Sequence, residues 1–177
     1  MQKQQGFTLL EIILVITLLV GLTYFALMTM PNQTNNVVLE SQRLVSALQF
    51  VIQRSELERH IFSLQLSQHE WKLLTLCNSD CKNKKIVQKS VIWPENFWIQ
   101  TYQKQYPLHK ILPNNIRMQL YIDNKKIKVS THMDTNVNPI IIFFPGGENN
   151  IFTIELIDED TNTTITINYD NNKILSM

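Results

Sequence analysis

The stretch Gly6-Phe7-Thr8-Leu9-Leu10-Glu11 decides the fold, because it opens a long apolar segment behind a short basic, Gln-rich leader. From Ile12 to Met30 the chain carries no charged residue. A helix over that length spans about 28 Å at ~1.5 Å per residue, close to the thickness of a bilayer core. A carboxylate inside such a segment costs about 2.5–3.5 kcal/mol on insertion scales. We therefore expect Glu11 to serve a partner or a function.

The same hexapeptide resembles the processing site of type IV prepilins and type II secretion pseudopilins. The resemblance implies that a prepilin peptidase cuts between Gly6 and Phe7 and that the new Phe7 amine is methylated. Glu11 would then make an assembly contact by accepting a charge-assisted hydrogen bond from the Phe7 amine of a neighbouring subunit. Three alternatives stay open: a secretory signal peptide cleaved near Ala26, a plain uncleaved anchor, and a Glu11 that is hydrated and unpaired.

Four parts follow one another along the chain. We predict a leader peptide at residues 1–6, a transmembrane and assembly helix at 7–30, an amphipathic half of that helix at 31–60, and a β-rich periplasmic head at 61–177. In the amphipathic half, apolar residues recur at i, i+4, i+7 and i+8, which predicts one apolar face and an end near Arg59. These residues are Leu44, Leu48, Val51 and Ile52. Glu40 is expected off that face.

Short alternating segments after residue 60 predict an antiparallel sheet packed against the helix, an α+β fold. The first two strands should form a hairpin, and the stretch Pro94–Pro113 is predicted to be a long ordered loop that carries partner contacts. The predicted strands are Ile61–Leu66, Trp71–Leu76, Ile86–Ile92, Ile116–Ile122, Lys126–Ser130, Ile140–Phe144, Ile151–Ile157, Thr163–Tyr169 and Lys173–Leu175.

The two cysteines, Cys77 and Cys81, are predicted to form a small disulfide loop if the head faces an oxidising compartment. The alternatives are two free thiols or half of a metal site, but no second Cys pair is present, so no metal is predicted. The acidic run Asp158–Asp160 lacks the calcium-loop pattern and predicts a hairpin turn. The four histidines are scattered, so we predict no catalytic residue, no cofactor and no small-molecule substrate.

Two parts of the head are similar to minor pseudopilin H of type II secretion. One runs from Leu44 to Leu73 and includes Glu70-Trp71-Lys72-Leu73; the other spans residues 139–157 and includes a Gly146-Gly147-Glu148 turn. The resemblance implies a type IV pilin-like fold, a single pass through the inner membrane and a periplasmic head. It also implies a place in the tip region of the pseudopilus, with the major and other minor pseudopilins as partners in exporting folded proteins across the outer membrane.

A minor pilin of a type IV or competence pilus, acting in adhesion or DNA uptake, is the alternative function. DNA capture needs a basic patch, whereas the 16 basic and 15 acidic residues of this chain nearly cancel. We therefore predict no nucleic-acid partner. The aromatic-rich segment Trp93–Tyr106 is predicted to bind other pseudopilin heads, the alternative being that Trp93 and Trp98 pack in the core.

Overall fold

The computed structural model describes residues 9–29, 36–78, 86–101, 108–133, 139, 141–170 and 173–176. The chain divides into two compact units, residues 1–34 and residues 35–177. The first unit contains helix α1, and the second contains helix α2 and eleven described strands.

Helix α1 runs from Leu9 to Thr29, and its described side chains, 9–25, are exposed. Apolar residues lie all round this helix, in contrast to the one-sided pattern of a helix that packs on a globular core. Among the described residues, no helix meets the length and apolarity required of a membrane span.

Helix α2 runs from Asn36 to Glu58 and buries one face. The predicted apolar stripe is confirmed, and the buried residues of this helix are Val37, Glu40, Ser41, Leu44, Ala47, Leu48, Val51, Ile52 and Ser55. The helix ends at Glu58, close to the predicted end near Arg59, and Arg59 adopts a left-handed conformation with φ 54°. A left-handed residue just past the last turn is a common way for a helix to stop.

The head contains two antiparallel sheets, whereas the sequence predicted one. The strands are β1 Phe62–Leu66, β2 Glu70–Cys77, β3 Ile86–Lys89, β4 Phe97–Gln100, β5 His109–Ile111, β6 Ile116–Ile122, β7 Lys125–Ile127, β8 Ile141–Phe143, β9 Phe152–Asp158, β10 Thr163–Asp170 and β11 Lys173–Ser176. The first sheet has the order β3-β4-β2-β1-β8, with β5 also pairing β2, and the second has the order β11-β10-β9-β6-β7.

The predicted hairpin of β1 and β2 is confirmed. Leu64 pairs with Leu73, and the turn is closed by a hydrogen bond from Ser67 N to Glu70 O at 2.7 Å. In the second sheet, Asp123 and Asn124 form the turn between β6 and β7 with φ 49° and φ 61°. Two left-handed residues of this kind match the twist of paired strands. The predicted strand Lys126–Ser130 is wrong in extent, because its second half leaves the sheet to accept a hydrogen bond from Gln68 N at Ser130 O, 2.9 Å away.

The prediction of a long loop at Pro94–Pro113 is wrong, because β4 and β5 lie within it. Both strands pair with the same strand, β2, at neighbouring positions. Thr101 N donates to Leu73 O at 3.3 Å, and Leu73 N donates to Leu108 O at 2.8 Å. One residue of β2 therefore binds both residues that flank positions 102–107, and those positions lie outside the described residues. Short strands separated by such a segment leave no long alternating pattern in the sequence.

The core lies between α2 and the inner faces of the two sheets. An aromatic trio joins the sheets: Phe152 stacks on Tyr169 with centroids 4.8 Å apart, and Phe143 meets both rings edge-on at 6.2 Å. Because Phe143 belongs to the first sheet and the other two belong to the second, these contacts fix the sheets to each other.

Candidate functional site: the N-terminal segment and the head surface

Glu11 lies in the first turn of α1 and its side chain is exposed. A carboxylate at this position interacts favourably with the positive end of the helix dipole. Gly6 and Phe7, the predicted cleavage and methylation residues, lie outside the described residues. The predicted contact between Glu11 and a Phe7 amine therefore stays a prediction.

Two threonines of α1 satisfy their hydroxyl groups within the helix. Thr17 Oγ1 donates to Leu14 O at 2.9 Å, and Thr23 Oγ1 donates to Leu19 O and Val20 O, each at 2.9 Å. Hydroxyl groups bonded in this way need no external partner in apolar surroundings. Glu11 is the one charged residue among the described residues of α1.

Cys77 is the last residue of β2 and takes part in a disulfide bond. Cys81, its predicted partner, lies outside the described residues. The pairing of these two residues stays a prediction.

Glu40 is buried, so its predicted position away from the apolar face is wrong. Its Oε1 accepts a hydrogen bond from Arg43 and lies 3.8 Å from the Nζ of Lys110 on β5. Its Oε2 has no hydrogen-bond partner among the described residues. Because β5 lies in a segment predicted to be a loop, the approach of a second cation to this carboxylate could not be predicted.

Asp158 organises the turn between β9 and β10, as the sequence predicted for the acidic run. Its Oδ1 accepts from Asn115 Nδ2 and from Asp160 N, each at 3.0 Å. Burial opposes ionisation of this carboxyl, but the hydrogen bonds from Asp160, Thr161 and Asn115 outweigh burial and lower its pKa below the usual range. This carboxylate oxygen therefore accepts its hydrogen bonds from within the protein.

The aromatic segment Trp93–Tyr106 is not a continuous exposed surface. Trp98 is fully buried, and Trp93 packs edge-on against Trp98 at 6.2 Å and against Phe144 at 6.3 Å. The predicted partner surface is therefore wrong for Trp98, and the core alternative holds there. Tyr102 and Tyr106 lie outside the described residues.

Two of the described histidines, His69 and His109, contact other parts of the head. His69 Nδ1 lies 2.9 Å from Ile116 O, and His109 Nε2 lies 2.7 Å from Glu70 Oε1. In the described part of the chain, no group of three or more His, Cys, Asp or Glu residues could hold a metal ion.

Comparison with known proteins finds one matching family motif and relatives that share one name. The family described as the prokaryotic N-terminal methylation motif matches residues 1–20. A curated relative from Klebsiella michiganensis, named type II secretion system protein H, is 23% identical over 169 residues, covering 95% of this chain and 92% of the relative. Proteins of the same name from Pectobacterium carotovorum and Dickeya chrysanthemi are 24% and 26% identical, covering 96% and 87% of this chain and 90% and 84% of those relatives.

The fold is similar to solved structures of two proteins. The minor pseudopilin EpsH from the type 2 secretion system of Vibrio cholerae matches with a TM-score of 0.59 at 10% identity, over 81% of this chain and 97% of that chain. The solution structure of E. coli GspH matches with a TM-score of 0.53 at 13% identity, over 84% of this chain and 94% of that one. Motif, sequence and fold together support a minor pseudopilin of the H type.

The predicted pilin-like α+β fold is confirmed by these structural neighbours. The three curated relatives favour the secretion pseudopilin over the type IV or competence pilin alternative, since all three are named protein H. In this chain, the match to the methylation motif covers both Gly6-Phe7 and Glu11.

Proposed function

We propose that this chain is a structural subunit of the pseudopilus of a type II secretion system, in its tip region, and that it helps to export folded proteins across the outer membrane. It assembles with the major and the other minor pseudopilins and catalyses no reaction. The observation that carries the proposal is that two matches, one to a motif and one to a named protein, occur in the same chain. The methylation motif lies at residues 1–20, and the likeness to protein H extends over 95% of the chain.

In this proposal, a prepilin peptidase removes residues 1–6 and Phe7 becomes the methylated N-terminus. Residues 7–30 hold the chain in the inner membrane with the head in the periplasm. The support is the apolar sequence of this segment and the internal hydrogen bonds of Thr17 and Thr23, which leave few polar groups for lipid to meet. The proposed anchor extends beyond the described side chains of α1 at both ends.

Glu11 provides the assembly contact. Left alone in the membrane, its carboxylate costs about 2.5–3.5 kcal/mol on insertion scales. The Phe7 amine of a neighbouring subunit offsets that cost by a charge-assisted hydrogen bond. A neighbour at the wrong height leaves the carboxylate without a partner, so the same contact sets the axial register of the fibre.

The experiment compares Glu11→Ala with Thr17→Val in the full-length chain, produced together with the other pseudopilins. Glu11→Ala should leave the chain in the membrane with a folded head, yet reduce co-purification with other pseudopilins. Thr17→Val is the matched control, because Thr17 already bonds within α1 to Leu14 O. Equal recovery of partners by Glu11→Ala and the wild type would show that Glu11 has no part in assembly.

A further inference from the structure

The turn that follows β3 presents two aliphatic side chains to solvent. Val91 is 73% exposed and Ile92 is 55% exposed, and we call this pair the Val91–Ile92 knob. Aliphatic side chains exposed in adjacent positions are one mark of a protein interaction site. The predicted aromatic contact segment begins at Trp93, directly after the knob, and its own Trp98 is buried.

The turn that carries the knob is fixed at both ends. Ser90 Oγ accepts a hydrogen bond from Trp93 N at 3.1 Å, Asn96 N donates to Trp93 O at 2.9 Å, and Ser90 N donates to Asn96 O at 2.9 Å. The Trp93 ring packs on Trp98 and Phe144, as described above. A contact residue held in one conformation loses little entropy on binding, so the knob is preorganised.

The position of the knob favours a protein over a lipid surface. β3 is the outermost strand of the first sheet in the described order, with β4 as its neighbour. The open side of an edge strand can be hydrogen-bonded by another protein, whereas hydrocarbon offers no such partner. The charged residues beside the knob are Lys89 and Glu95, both exposed and of opposite sign. They give no net positive charge of the kind that attracts anionic lipid.

The small size of the knob limits the kind of protein partner that it can bind. A stable interface buries roughly 800 Å² on each partner, and two aliphatic side chains supply only a small part of that. The knob alone is too small to form a stable dimer of this chain in solution. The knob is suited to a partner that is already held nearby. Two chains anchored in the same membrane have a raised effective concentration for each other, so a small second contact can form.

We propose that the Val91–Ile92 knob inserts into an apolar pocket on the head of another pseudopilin when both chains are assembled. The inference rests on the proposed function. It adds a second assembly contact, made by the head, to the contact proposed for Glu11. A second copy of this chain and the lipid surface are the other possible occupants, and the experiment separates them.

The experiment places a photo-cross-linking amino acid at position 92 of the full-length chain, produced in membranes with the other pseudopilins. A matched probe at Leu175 tests a residue that is 62% exposed on β11, the edge strand of the other sheet. We expect an adduct between position 92 and a different pseudopilin, identified by mass, with at least tenfold less adduct from position 175. Adducts at position 92 that contain only this chain or lipid would overturn the proposal.

A second arm uses the double variant Val91→Glu with Ile92→Glu, and Leu175→Glu as its control. The double variant should lower recovery of the partner pseudopilin at least about tenfold, the factor that corresponds to ~1.4 kcal/mol, while Leu175→Glu behaves as the wild type. Both variants should keep the thermal midpoint of the head, since the changed side chains are exposed. Unchanged recovery by the double variant refutes the knob and leaves the proposed function standing. If the wild-type chain recovers no pseudopilin at all, the proposed function fails and the knob fails with it.

Discussion

Leu48 and Leu57 allow a direct test of how α2 is attached to the head. Both are leucines of the same helix, but Leu48 is 0% exposed and Leu57 is 84% exposed. Leu48→Ala removes buried methyl groups and leaves a cavity, a change that costs about 2–5 kcal/mol. Leu57→Ala removes the same atoms from water-exposed surface, and we expect a change within about 0.5 kcal/mol.

The assay is unfolding of the full-length chain in detergent, followed by tryptophan fluorescence. Trp71 and Trp98 are fully buried, so their emission reports on the folded head. For a domain of the size of residues 35–177, each kcal/mol shifts the thermal midpoint by about 2–4 °C. Leu48→Ala should therefore lower the midpoint by roughly 4–20 °C and Leu57→Ala by no more than about 2 °C. Equal shifts for the two variants would refute the packing of α2 on the sheets.

Three further predictions concern single groups. Gly6→Val should retain residues 1–6, and intact mass of membrane-extracted protein will detect them; a normally trimmed chain would contradict the cleavage site. Since the pKa of Asp158 is lowered in the folded state, its stabilising effect should be present above about pH 4 and disappear as the pH falls through the folded value. Asp158→Asn should weaken that acid dependence in denaturant titrations. Non-reducing mass spectrometry should find Cys77 and Cys81 bridged; two alkylatable thiols would exclude the bridge.

The helices and the β1–β2 hairpin could be predicted because their patterns are local. The spacing of Leu44, Leu48 and Val51 is enough to define a helix face, and the left-handed Arg59 ends the helix where the apolar spacing stops. Likewise, β9 and β10 alternate clearly and are separated by polar turn residues. The pilin-like class followed from the N-terminal motif, which lies within twenty residues.

The division into two sheets and the strands β4 and β5 could not be predicted, because they depend on pairing between distant residues. β5 is three residues long and is defined by its partners on β2, such as Trp71 opposite Lys110. The buried Glu40 lies near Lys110 of the same short strand. The knob was missed for a related reason: sequence alone could not tell that Trp98 faces inward while Ile92, six residues earlier, faces solvent.

The double anchorage at Leu73 has a practical consequence for engineering the chain. Thr101 and Leu108 are both hydrogen-bonded to this one residue, so the two residues that flank positions 102–107 meet at one position of the first sheet. We expect residues added between Thr101 and Leu108 to leave both hydrogen bonds in place, because each doubling of loop length costs only about 0.6 kcal/mol of closure entropy. This position therefore suits insertion of an epitope or reporter peptide that labels the head while its strand pairing stays intact.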